Sequence, residues 1–119
     1  MTGLNVVNQA LGLLGYAEND GNTQLTQRVM NSVLPSFNLV YTDLCRICDL
    51  EIKRINNLSE EVELPDKALD ILICGVASYI AGAEGDENMQ YFWSGEYKAR
   101  RTTLTKITEY KDVLPTVEL

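Results

Sequence analysis

The sequence predicts a mainly all-α chain, a bundle of four to five helices, and three observations carry that expectation. Apolar residues recur at three- and four-residue steps through most of the chain. The stretch from Leu69 to Ile80 is apolar around nearly its whole circumference, so the rest of the chain or copies of it must cover it on nearly all sides. Pro, Gly and Asp stand where those patterns begin and end. A length of 119 residues suits one domain spanning 1–119, with a tail at 112–119 that either frays or docks on a partner.

Thr2 can cap a first helix over Gly3 to Leu14, with Leu4, Val7, Leu11 and Leu14 as its apolar stripe and Gly15 as its stop. Gly12 lies inside it and costs about 1 kcal/mol relative to alanine, a cost suited to close approach of another backbone. Glu18-Asn19-Asp20-Gly21-Asn22 is turn chemistry. A longer helical pattern starts near Thr23, with Leu25, Val29, Val33, Phe37, Val40, Leu44 and Ile47 on its inner face. Pro35 interrupts it, which predicts a kink, or a break into two helices, near Leu34.

Residues 50–64 read either as a short β-hairpin of two weak strands, looped at Asn57 to Glu60, or as a plain extended connection. Pro65 suits the first turn of the next helix, and Asp66 adds negative charge at its N-terminus. That helix carries Leu69, Ile71, Leu72, Ile73, Val76, Tyr79 and Ile80. Its small residues Gly75, Ala77, Ala81 and Gly82 permit a neighbouring helix to come close, and Gly85 ends it. A last helix over Glu87 to Glu109 places Met89, Phe92 or Trp93, Tyr97, Leu104 and Ile107 inward, and Lys98, Arg101 and Lys106 in solvent.

The composition is 45% apolar and 23% charged, ordinary for a globular fold. The formal charge of −7 disfavours a primary role in binding nucleic acid, where Lys and Arg neutralise phosphate. The absence of histidine removes the commonest general base and the commonest metal ligand together. The opening Met1-Thr2-Gly3-Leu4 lacks the pattern of a signal peptide, and three cysteines then fit a reducing compartment. No apolar run reaches the roughly 18 residues that argue for a membrane span, so no membrane partner is expected.

Cys45-Arg46-Ile47-Cys48 has redox spacing but falls at the end of a helix, away from the N-terminal dipole that activates such thiols. With Cys74 it makes three thiols and no histidine, short of a zinc site, so buried small side chains are the better reading. Gly82 to Glu87 reads as a turn, Gly85 closing one helix and Asp86 capping the next. No catalytic residue, cofactor or metal is expected.

The consecutive aromatics Tyr91, Phe92 and Trp93, with Tyr97 a turn later, cannot share one buried face, because neighbours lie about 100° apart on a helix. At least one points away from the core, a candidate anchor at a subunit interface. Arg100 and Arg101, with Lys98 and Lys106, form a basic cluster in an acidic chain. Such a cluster is either a solvated face paired with nearby acids or a contact for an acidic partner. Candidate interface residues are therefore Tyr91, Trp93, Tyr97, Arg100, Arg101, Val113 and Leu114.

The order of elements resembles the small helical head–tail connector (adaptor, or head-completion) proteins of tailed bacteriophages. The likeness runs through Ala10-Leu11-Gly12-Leu13-Leu14-Gly15, a long helix ending near Leu44-Cys45-Arg46, and an extended excursion closing on Glu63-Leu64-Pro65. It continues through Gly75-Val76-Ala77-Ser78-Tyr79-Ile80-Ala81, Glu84-Gly85-Asp86, and a last helix leading into Asp112-Val113-Leu114-Pro115. The resemblance implies a structural, non-enzymatic virion component at the head–tail junction, assembled in the host cytoplasm as a ring of about a dozen copies. Its implied partners are copies of itself, the portal protein and a stopper or tail-completion protein, with DNA only as cargo passing through the channel. It also implies that residues 50–64 and 112–119 make contacts between rings. The alternative is a small adaptor or regulator that binds a single partner as a monomer or dimer. An enzyme using Asp66, Asp70, Asp86 or the cysteines is a third class.

Overall fold

The structure, a computed structural model, describes residues 1–16 and 27–113, and the side chains within 1–16 and 31–107. Among the described residues four helices follow one another: α1 (Gly3–Leu14), α2 (Gln27–Ile47), α3 (Asp66–Ala83) and α4 (Glu87–Val113). The expected helical bundle is what the chain forms. The turn expected at 18–22 and the start of the second helix near Thr23, with Leu25, lie outside the described residues, as does the side chain of Val29.

α3 is the central helix, against which α1, α2 and α4 all pack. Ile71 through Ala77 are seven consecutive buried residues, which only a helix covered from several sides can sustain. The core also takes Val6, Val7, Ala10, Leu11 and Leu14 from α1, and Val33, Phe37, Val40, Tyr41, Leu44 and Cys45 from α2. Phe37 and Tyr41 meet edge to face, ring centres 6.1 Å apart. No helix among the described residues is long and apolar enough to cross a membrane.

Helix ends are set locally. Thr2 and Asn5 form a reciprocal capping box on α1. α1, α2 and α3 all end in the same two-bond device, in which the second residue past the last turn donates five positions back. Tyr16 N–H reaches Leu11 O at 2.9 Å, Leu50 N–H reaches Cys45 O at 2.9 Å, and Asp86 N–H reaches Ala81 O at 2.9 Å. The left-handed position is filled by Gly15 and Gly85 in two cases, but by Asp49, at φ 57°, in the third. Pro65 stands just before α3, as its N-cap, rather than in its first turn.

Other sequence expectations need correction. α2 runs unbroken through Pro35, so there is one helix there and not two. Asn31 and Pro35 both face solvent, so the hydrogen bond that proline cannot donate falls on the hydrated side of the helix. Gly12 is exposed, and no atom would lie within 4 Å of an added Cβ, so no backbone packs against it. α4 continues to Val113, beyond the expected Glu109.

The hairpin alternative at 50–64 does not form; among the described residues the segment holds no strand, only an isolated bridge from Glu61 to Thr2. Its hydrogen-bonding groups are taken up elsewhere. Gly3 N–H donates to Glu60 O, Leu4 N–H to Leu58 O and Val62 N–H to Met1 O, so the segment pairs with the start of the chain instead of itself. The Asn38 side chain grips the Ile55 backbone at both its N–H and its C=O, each at 2.9 Å. The Tyr41 hydroxyl accepts from Glu63 N–H at 3.0 Å. The excursion is thus strapped along one flank of α2.

α4 has 27 residues and α3 has 18; α3 ends and α4 begins at the turn around Gly85. At 1.5 Å per residue, α4 overruns its partner by about 13 Å. The last level of contact brings Arg100, Leu104 and Ile107 beside Lys67 and Ile71.

A groove between the second and fourth helices

α2 and α4 each lie against α3 and meet one another only sparingly. Both come close over Gly75, where an added Cβ would lie 2.9 Å from Val40 Cγ1 and 3.0 Å from Tyr97 Cδ1. Beyond that point they diverge and leave a groove of about 470 Å³. Leu39, Val40 and Asp43 form one wall, Ser78 and Tyr79 the floor, and Gln90, Ser94, Tyr97 and Lys98 the other wall. Gln90, Ser94 and Lys98 also border a second depression that reaches Tyr91 and Glu87 on the outer side of α4.

The groove is flanked by large apolar side chains left in solvent. Leu39 is 62% exposed and Tyr91 86%, and Tyr79 is nearly half exposed. Helical spacing explains Tyr91: Trp93 lies about 200° further round and packs toward the core, so Tyr91 must face away. Phe92 takes the flank between them, half exposed, its ring edge-on to Trp93 at 4.9 Å. The Trp93 indole N–H is buried with no acceptor among the described residues.

One end of the groove is closed by a polar cluster. The Asp43 carboxylate accepts from Arg101 Nε at 2.7 Å, from Arg101 Nη2 at 3.1 Å and from the Tyr97 hydroxyl at 3.0 Å. Tyr97 and Arg101 sit one turn apart on α4, so both reach the same acid. The Arg101 guanidinium, helped by the Tyr97 hydroxyl, holds the Asp43 carboxyl below its ordinary value although burial opposes this. Burial, and then the charge of Asp43, pushes the Tyr97 phenol well up. Arg101 is therefore partly exposed and paired with an acid of α2, as the reading of the basic cluster as a face paired with nearby acids expects.

The remaining candidates scatter. Arg100 pairs with Glu96 one turn earlier at 3.5 Å, on the side of α4 that faces α3. Val113 ends α4, its side chain outside the described residues, and Leu114 lies outside them altogether. Leu39, Tyr79 and Phe92 were not singled out by sequence. Leu39 carried no signal, Tyr79 was assigned to the core, and Phe92 was offered as an alternative to Trp93 for the inner face.

The cysteines are all free, Cys45 and Cys74 buried and Cys48 half-buried. Burial, and then the neighbouring Cys45, raises the Cys48 thiol, the opposite of what a reactive thiolate needs. Burial also raises Cys74. Among the described residues no three His, Cys, Asp or Glu side chains gather where they could hold a metal ion. Asp86 is drawn into structure: it caps α4 at Met89 N–H and accepts from the Tyr16 hydroxyl at 3.1 Å.

No family model matches this chain, and neither a curated protein nor a solved structure matches it.

Proposed function

We propose that this chain is a structural component of a tailed-phage virion, a head–tail connector that assembles with copies of itself into a ring around the DNA channel. The ring bridges the portal to a stopper or tail-completion protein and works by assembly, not by catalysis. The observation that carries this reading is the α2–α4 groove, where Leu39 and Tyr79 line a concave surface while 62% and 45% exposed, with Tyr91 on the outer flank of α4 beside it. Apolar side chains gathered at one concave surface are costly in water and mark a contact site. The helix order and the acidic balance agree with the connector resemblance, the latter suiting a lumen past which DNA slides.

Native mass spectrometry over a concentration series, followed by negative-stain microscopy of any large species, tests the proposal. A closed ring of about a dozen subunits is the expected result, since homo-oligomers favour closed symmetry. A monomer at every concentration would overturn self-assembly as the chain's mode of action and leave the single-partner adaptor.

A further inference from the structure

The segment Asp49–Ile52 leaves the C-terminal end of α2 and shares no residue with the α2–α4 groove. The excursion is strapped to α2 at Asn38, while Asp43 faces the groove, about 140° away around the helix. Leu50 and Ile52 are 42% and 40% exposed and alternate in sequence with Asp49 and Glu51, just past the turn that ends α2. The backbone N–H groups of Glu51 to Arg54 make no hydrogen bond to the described residues. Asp49 holds a left-handed conformation that glycine fills at the ends of α1 and α3, so an acid stands where the backbone would be easier without one.

The two surfaces are complementary in charge and chemistry. Residues 49–66 carry Asp49, Glu51, Glu60, Glu61, Glu63 and Asp66 against only Lys53 and Arg54. Residues 98–106 carry Lys98, Arg100, Arg101 and Lys106 with no acid among them. Within the groove Asp43 is already engaged by Arg101 and Tyr97, and Glu87 lies toward the outer end, which leaves Lys98 as the cation at the rim.

We infer that Leu50 and Ile52 of one copy seat in the α2–α4 groove of a second copy, against Leu39 and Tyr79, with Glu51 meeting Lys98. This deepens the ring proposal and rests on it. Two different surfaces give a heterologous, head-to-tail contact, the kind that closes into rings when the rotation allows. An isologous dimer would instead use one surface twice.

Two variants test this, each altered only at exposed positions. One carries Leu50→Asp with Ile52→Asp, the other Leu39→Glu with Lys98→Glu, and circular dichroism checks that both fold. Sedimentation velocity on each alone is expected to show association weakened by about tenfold or more. Mixed one to one, they retain a single intact pair of surfaces and should form a heterodimer and nothing larger. A mixture that stays monomeric, or variants that assemble as the wild type does, overturns this contact while the wild-type ring stands. A wild type that never associates overturns both. As a second measurement, Glu51→Lys should weaken association and adding Lys98→Glu to it should restore it; failure of that rescue removes the ionic part of the contact.

Discussion

Replacing Gly75 with alanine and Gly95 with alanine makes the same chemical change in two helix interiors, and the structure assigns the two opposite signs. Alanine in place of glycine favours a helix by about 1 kcal/mol through backbone entropy alone. At Gly95 an added methyl meets nothing within 4 Å, so that gain should appear nearly whole. At Gly75 the methyl would lie 2.9 Å from Val40 Cγ1 and 3.0 and 3.1 Å from two carbons of the Tyr97 ring. Carbon atoms rest at roughly 3.5–4.0 Å, so α2 and α4 must both retreat by about half an ångström or more. Neither neighbour gives easily: Val40 is β-branched and stiff, and the Tyr97 hydroxyl is tied to Asp43. Overpacking of this kind costs about 1–3 kcal/mol, which outweighs the helical gain. Gly75→Ala should therefore be destabilised by about 1 kcal/mol net, and the two variants should differ by about 2 kcal/mol. Urea unfolding followed by circular dichroism measures both. A Gly75→Ala protein as stable as the wild type would refute the close approach of α2 and α4 over α3.

Three further outcomes follow from the same packing. Asp43→Asn should cost about 1–2 kcal/mol at pH 7, the upper range for a charge-assisted cluster discounted for its partial exposure. Because the folded Asp43 carboxyl titrates below its ordinary value of 3.8, its contribution is complete above that value and lost as pH falls through the lower one. Unfolding titrations at pH 7 and in the acid range should thus show the wild type and Asp43→Asn converging in acid. Asn38→Ala removes both bonds that hold Ile55 to α2, and hydrogen exchange should report faster opening of residues 55–63 while α3 stays protected. Trp93→Ala should lower the melting temperature, because Trp93 packs against the core, whereas Tyr91→Ala should leave it unchanged; the reverse pattern would place Trp93 at the surface.

Local rules made the helices legible. Thr2 and Gly15 bound α1 because a cap and a left-handed stop act within a few residues. The apolar circumference of α3 foretold a central helix for the same reason, since periodicity reports how many sides are covered. The excursion was read less well. Alternation over residues 50–64 signals extended backbone but not its partner, and the partners proved to be the start of the chain, Asn38 and Tyr41. For Arg101 pairing with an acid was expected but its partner was not, because sequence spacing does not place Asp43 of α2 beside α4.

The groove was partly legible for a physical reason. That at least one of Tyr91, Phe92 and Trp93 points outward could be read because three consecutive helical residues cannot share a face, but which one could not. Leu39 and Tyr79 could not be read as outward, because each is an apolar residue on a mostly apolar helix, and only the gap between α2 and α4 leaves them in water. Gly75 lies beneath that gap. A residue without a side chain lets Val40 and Tyr97, one from each wall, come together over α3. Tyr79 lies one turn further along α3, on the groove floor. The residue that tightens the core thus also sets two wall residues of the surface on which assembly is proposed to depend, so stability and association should respond together at Gly75 and separately at Leu39 or Lys98.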